Sequence, residues 1–242
     1  MANIDVSALA VRLSSVPLFH GLAGAALKRL AKVARTKEVA RRDCFFIEGD
    51  LAQDFFLLMS GRVKIVQQTS DGGQFVHTLV WPNEQFGGFS ALGGPYTVTA
   101  EAAEASVALV WPVATIRHAF EHDRRFALNT LDFLLTRLDE VHARCRQFAT
   151  ERVDRRVARI LVRLTERDGR VTADGVEIGF PISRQDVAEL SGTTLFTVSR
   201  LLVSWERTGI VRIGRQRIVV IRPAVLRAIA RGRDARTLRR VG

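Results

Sequence analysis

Thr193-Thr194-Leu195-Phe196-Thr197-Val198-Ser199-Arg200 bring hydroxyls, a phenyl ring and a guanidinium into eight consecutive residues. On a helix entering the major groove, N-terminal side chains of this kind meet base edges. A guanidinium donates two hydrogen bonds to guanine O6 and N7, hydroxyls bond phosphate or a base edge, and an apolar group packs on a thymine methyl. We assign Ser199 to a small contact or a thymine methyl. Thr194 and Thr197 are assigned to phosphate or a neighbouring base edge, with Thr193 beside them. Phe196 packs either on a thymine methyl or inside its own domain. Catalytic chemistry is not indicated: there is no nucleophile–base signature, no metal-spaced His/Cys/Asp set and no phosphate-binding glycine loop. The expectation is a protein that is not an enzyme, with no assigned metal.

The flanking pattern supplies elements to position these residues. Ser183 and Asp186 make an N-terminal cap pair, Val187 and Leu190 point inward, and Gly192 makes a turn. Thr193 or Thr194 then caps a second helix with a buried stripe of Val198, Leu201, Leu202 and Trp205. Two helices joined by a short Gly-containing turn form a helix-turn-helix. GIVRIGRQRIVVIRP reads as two strands around Gly214-Arg215, a wing. Its Arg212, Arg215 and Arg217, with Ser183 and Arg184, are candidates for phosphate contacts that add affinity without sequence choice. Upstream, Val153, Val157, Ile160, Leu161 and Leu164 share one face of a helix ended by Gly169, and a hairpin follows over Arg170–Ile178.

The charge distribution agrees. The 242 residues carry a net +11. Residues 1–150 hold 16 Lys+Arg against 15 Asp+Glu; the last 92 hold 20 basic against 10 acidic residues, and every cation among them is Arg. A neutral front and an arginine-rich rear point to nucleic acid as partner of the rear part, the alternative being a basic, solvated surface with no partner. No apolar run reaches the ~18 residues that span a bilayer, and the start lacks a basic region followed by an apolar stretch. Cys44 and Cys145 suit neither a disulfide framework nor a metal site. The expected location is the cytoplasm, with no membrane partner.

The front part begins with two short helices broken at Ser14–Pro17. From Thr36 to Pro112, short β-branched and aromatic runs (CFFIE, DFFLLM, RVKIVQQ, QFVHTLVW, TVTAEA, SVALVWP) alternate with turn signals. Many short strands with regular turns predict a sandwich or barrel. From Ala114 the pattern is helical. Leu131, Leu134, Leu138, Val141, Cys145 and Phe148, separated by three and four in turn, form a heptad stripe among polar neighbours. A narrow seam of this kind predicts a homodimer helix, the alternative being a helix lying on its own β domain. The fold class is α+β: an N-terminal antiparallel β sandwich or barrel (1–112), a dimerisation helix and hinge (113–152, hinge near Thr150–Asp154), a C-terminal winged helix-turn-helix (153–231) and a basic tail (232–242).

In that order, the elements resemble the Crp/Fnr family of bacterial transcription regulators. IEGDLAQDFFLLMSGRVKIV is similar to a cyclic-nucleotide-binding antiparallel β-roll (a jelly roll), with Gly49, Gly61, Gly73 and Gly87 at the family's spacing. Thr197-Val198-Ser199-Arg200 resembles the family's recognition helix, which implies double-stranded DNA as partner; Arg200 stands where the family has its base-reading Arg, which implies two hydrogen bonds to guanine O6 and N7. The resemblance implies RNA polymerase as a partner. It also implies an effector pocket near Gly87, Gly88, Phe89, Ser90, Tyr96 and Thr97, approached by His142. Two departures bear on the signal. Phe86-Gly87 is followed by Gly88 where members that bind cyclic AMP have Glu, and Tyr96-Thr97 stands where they carry an Arg that pairs with the phosphate. An unpaired buried phosphate is costly, so no cyclic AMP response is expected. Two cysteines cannot hold an iron–sulfur cluster. A third departure is Phe196, where the family has Glu. The recognition segment is similar to the NnrR-like branch, which implies nitric oxide sensing through haem and control of denitrification. The axial ligand would come from His20, His77, His118, His122 or His142. An effector-free or redox-controlled regulator, the latter acting at Cys145, and a cyclic-nucleotide-binding-type regulatory subunit are the alternatives.

Overall fold

The computed structural model describes residues 5–68, 74–87 and 94–233. Their elements run α1 (Val6–Ser14), a 3-10 turn (Pro17–Phe19), α2 (Gly24–Val33), β1 (Arg35–Val39), β2 (Cys44–Phe46), β3 (Asp54–Ser60), β4 (Val63–Gln68), β5 (Gln74–Val80), β6 (Gln85–Phe86), β7 (Thr99–Ala102) and β8 (Ser106–Pro112). Then come α3 (Val113–His122), α4 (Arg124–Thr150), α5 (Val153–Asp168), β9 (Gly169–Thr172), β10 (Gly175–Ile178), α6 (Arg184–Ser191), α7 (Leu195–Arg207), β11 (Val211–Gly214), β12 (Arg217–Val220) and α8 (Pro223–Ala230). They divide into two compact units. One holds the chain up to Gln68 and His77–Val141; the other holds His142 onward with Gln74, Phe75 and Val76. No described helix is long and apolar enough to cross a membrane.

In the first unit, two four-stranded sheets, β1-β8-β3-β6 and β2-β7-β4-β5, form the predicted β-roll. Strand β3 is apolar on both sides because both sides are covered. Phe56 and Leu58 face the space between the sheets, with Phe45, Phe46, Phe86, Tyr96 and Val110. Phe55 and Leu57 face the other way, into a core with Leu27 and Leu30 of α2, Trp111 and Phe126. Buried Trp111 donates its indole N–H to the Leu30 carbonyl at 2.8 Å, so the polar handle of the largest core side chain is satisfied. Two short strands, β1 and β6, lie outside the six apolar runs that mark the other strands in the sequence. The sequence pattern also reads as one helix through 113–150, whereas Asp123 breaks it. The Asp123 carboxylate accepts from the N–H groups of Arg125 and Phe126, which starts α4 anew.

Of the 27 residues of α4, Phe126 alone is buried. The seam residues Leu131, Leu134, Leu138, Val141, Cys145 and Phe148 are all exposed in the single chain. So are Leu128 and Leu135. The apolar stripe is therefore wider than the narrow a/d seam expected, because a second row of leucines flanks it.

The second unit is built on α5, α6, α7 and α8 around a sheet of order β11-β12-β10-β9. Val157, Leu161 and Leu164 of α5 are fully buried with Val187, Val198, Leu202, Ile218 and Leu226. The expected hairpin and wing thus share one sheet through β10 and β12. Helix α8 was not anticipated: Pro223 starts it, and Leu226 and Ile229 dock its apolar face. The Thr150–Asp154 segment does separate two helices, but the units divide earlier, at Val141, because the last turns of α4 pack with the second unit. Of the basic tail, residues 234–242 lie outside the described residues, as do Gly73, Gly88, Phe89 and Ser90.

Gly61 shows how tightly the roll's turns are set. Its φ is +86°, and a Cβ there would lie 2.6 Å from the Ala105 carbonyl oxygen. Gly49 has φ +92° with open space around it. Gly61→Ala should destabilise the protein by about 2–4 kcal/mol and Gly49→Ala by about 1 kcal/mol. Urea unfolding followed by tryptophan fluorescence measures both; equal effects would contradict the close-approach argument.

Candidate nucleic-acid interface

The helix-turn-helix forms for local reasons. Ser183 caps α6: its hydroxyl accepts from the Asp186 N–H at 3.1 Å, and Asp186 accepts from the Ser183 N–H at 2.8 Å. Gly192 ends α6 in the left-handed region at φ +61°, which glycine enters without steric cost. Thr194 then caps α7, accepting from the Thr197 N–H at 3.2 Å, and the two threonine hydroxyls lie 2.9 Å apart. Val198, Leu202 and Trp205 turn inward while Leu201 is half-buried.

This leaves one edge of α7 facing out. Phe196 is 72% exposed and Leu195 46%; Arg200 is exposed and Ser199 half-buried. Phe196 is thus not packed within its own domain, one of the two readings open from sequence. Its ring lies 5.9 Å from the Arg200 guanidinium carbon, one turn along the helix and within cation–π range. Leu195 escaped notice in the sequence because an apolar residue beside a helix cap ordinarily reads as core.

The other assigned residues are placed less uniformly. Ser183 spends its hydroxyl on Asp186, at 2.6 Å. Arg184 is half-buried at the start of α6. On the wing, Arg215 is exposed at the turn and forms no ion pair among the described residues. Arg212 pairs with Asp174. Arg217 grips Glu177 through two bonds, of 2.8 and 2.6 Å, which hold the Glu177 carboxyl below the usual carboxylate range. Both acids belong to the β9–β10 hairpin, and they offset two of the three wing cations. They lie 38 and 40 residues from their partners. Only the sheet order makes them neighbours.

Behind the reading edge, the turn at Gly192 is held by α4. Phe148 lies so close that a Cβ on Gly192 would meet its ring at 2.6 Å. The guanidiniums of Arg144 and Arg156 stack near that ring at 5.4 and 5.3 Å. Arg144 donates to the carbonyls of Val76 and Leu190, and Arg156 to those of Ser191 and Gly192. Burial lowers the Arg144 pKa to about 10, so it stays charged at neutral pH. Phe148, expected on the seam, is therefore committed in part to this turn.

In the first unit, the effector-pocket residues divide. Gly87 sits at φ +73°, with room for a Cβ closed by Phe56 and Phe46 at 3.0 and 3.1 Å. The Tyr96 ring stacks on Phe46 with centroids 3.8 Å apart, and its hydroxyl donates to the Asp54 carbonyl at 2.7 Å. Burial raises its pKa. Thr97 is exposed, and His142 is exposed in the other unit. All five histidines are exposed. Cys44 is half-buried, and burial with the nearby Glu101 raises its thiol pKa, which suppresses thiolate chemistry.

Residues 155–229 match the Crp-like helix-turn-helix domain, and residues 36–123 match the cyclic nucleotide-binding domain. The cyclic AMP receptor protein of Thermus thermophilus is 30% identical over 225 residues, covering 89% of this chain and 97% of that one. The nitrogen fixation regulation protein FixK of Rhizobium meliloti is 29% identical over 185 residues, covering 76% of this chain and 82% of that one. The solved structure of FixK2 from Bradyrhizobium japonicum has a TM-score of 0.71 at 23% identity, covering 81% of this chain and 97% of that one; it speaks to the fold alone. With the recognition edge of α7 built as described, both halves agree: the chain belongs to the Crp/Fnr family of DNA-binding transcriptional regulators.

Proposed function

We propose that two copies join along α4 and read a palindromic operator through α7, in response to a signal other than cyclic AMP. The observation carrying the DNA contacts is the outward edge of α7, with Phe196 and Arg200 presented beside a core that uses Val198, Leu202 and Trp205. Dimerisation rests on the uncovered apolar stripe of α4, from Leu128 to Cys145. A two-fold dimer presents two recognition helices, so its half-sites lie about one helical turn, ~34 Å, apart. In this reading RNA polymerase is the further partner and the cytoplasm the place of action.

The rejection of cyclic AMP rests on Tyr96. Where cyclic AMP-binding relatives would have a cation for the phosphate, this chain has a buried ring stacked on Phe46 and hydrogen-bonded to Asp54. Haem, which the NnrR-like resemblance implies, finds no enclosed histidine here: all five are at the surface, and aromatic rings fill the space between the sheets of the roll. The described residues do not fit an enclosed haem. Nitric oxide sensing and control of denitrification genes rest on the branch resemblance alone. The filled roll favours a second reading, a regulator with no small-molecule effector.

Selection of bound sequences from random duplexes should return an inverted repeat; Arg200→Ala should weaken binding by roughly 1–3 kcal/mol and relax one base pair per half-site. Full selectivity in that variant would count against the assignment. Glu177→Gln frees Arg217 for phosphate and should strengthen binding to selected and scrambled duplexes alike, with a steeper salt dependence. Unchanged affinity at low salt would mean that Arg217 does not reach DNA. Calorimetry with cyclic AMP should show no micromolar binding; a micromolar isotherm would overturn the reading of Tyr96.

A further inference from the structure

We infer that Phe196 makes this regulator a reader of the pyrimidine 5-methyl group, so that 5-methylcytosine in the operator is accepted in place of thymine. The inference rests on the DNA-reading role of α7 proposed above and specifies what that surface recognises.

Phe196 is the most exposed large hydrophobic side chain on α7, at 72%, and Leu195 beside it is 46% exposed. A phenyl ring neither donates nor accepts a conventional hydrogen bond. It cannot distinguish the O4 acceptor of thymine from the N4 donor of cytosine, which is how polar side chains tell these bases apart. What remains for it in the major groove is the C5 substituent. Thymine and 5-methylcytosine carry the same methyl at the same ring position; uracil and cytosine both lack it. An apolar contact therefore sorts the four pyrimidines into methylated and unmethylated pairs, across the grouping that hydrogen bonding would give.

The geometry places this contact near a fixed base. The Phe196 ring and the Arg200 guanidinium are 5.9 Å apart, less than two base steps of about 3.4 Å. If Arg200 holds a guanine, the methyl that Phe196 meets belongs to a pyrimidine within two steps of it. The ring has a second effect: it provides a face against which Arg200 rests before DNA arrives, which lowers the ordering cost of the guanine contact. Phe196 is a specificity residue through its own contact and a positioning residue for Arg200.

The test uses the full-length protein and the duplex preferred in a random selection. The guanine read by Arg200 is located as the position that Arg200→Ala relaxes. Thymine, uracil, cytosine and 5-methylcytosine are then placed in turn at the neighbouring selected thymine, and affinities are measured by fluorescence anisotropy. Thymine and 5-methylcytosine should bind alike. Loss of the methyl should weaken binding roughly fourfold per half-site, the value of one buried methylene-sized group. Phe196→Glu, a change at the surface, should prefer cytosine and lose the distinction between thymine and uracil. If thymine and uracil bind equally and more tightly than both cytosines, or if all four bind equally, the inference is overturned while sequence-specific binding stands. If selection returns no preferred duplex, both fall.

Discussion

The packing of Phe148 on the turn at Gly192 is the contact on which the reading surface depends. A recognition helix reads bases only if its N-terminus is held at a fixed angle and depth, and here that angle is set by a left-handed glycine with no room for a Cβ. Phe148 occupies the space a side chain would need, and Arg144 and Arg156 clamp its ring while binding the carbonyls at the end of α6. These carbonyls are the ones a helix leaves without partners at its C-terminus. One group of side chains thus satisfies the end of α6, fixes the start of α7 and ties both to the last turns of the long helix.

Charge alone described the rear part too simply. A net +10 over the last 92 residues suggests a uniformly positive face. The structure instead distributes it: Arg155 and Arg159 are drawn to Glu151, Arg212 and Arg217 to the acids of the adjoining hairpin. The exposed Arg215 and Arg200 stand at the wing and the recognition helix. Exposed ion pairs of this type are weak, so a phosphate can compete for their arginines, yet each exchange returns less than a free cation would. In the proposed reading, fewer net charges then bear on phosphate, and a larger share of the affinity falls to Phe196 and Arg200.

Much of this was legible in the sequence because the signals were local. The N-cap at Ser183, the glycine turn, the cap at Thr194 and the stripe through Trp205 each depend on residues within four positions of one another. The six apolar runs of the roll were legible for the same reason. What escaped depended on distant neighbours. The Arg217–Glu177 pair exists because β12 lies against β10, and Phe148 looked like a seam residue until the turn of α6 was placed beside it. Helix α8 is short and continues an arginine-rich stretch, so its apolar face did not stand out. Tyr96 could be recognised as a missing cation, but that its ring would fill the space against Phe46 follows only from the packed roll.

The central claim is that two copies act together on one operator. It is tested most directly by measuring affinity and stoichiometry on a labelled duplex carrying the selected inverted repeat, compared with one whose half-sites are moved apart by half a helical turn, about five base pairs. Two chains per duplex are expected on the repeat, and a loss of at least about tenfold, the scale of one lost base-pair contact of ~1–3 kcal/mol, when the half-sites face opposite sides of the helix. One chain per duplex, with an affinity indifferent to that spacing, would contradict that claim.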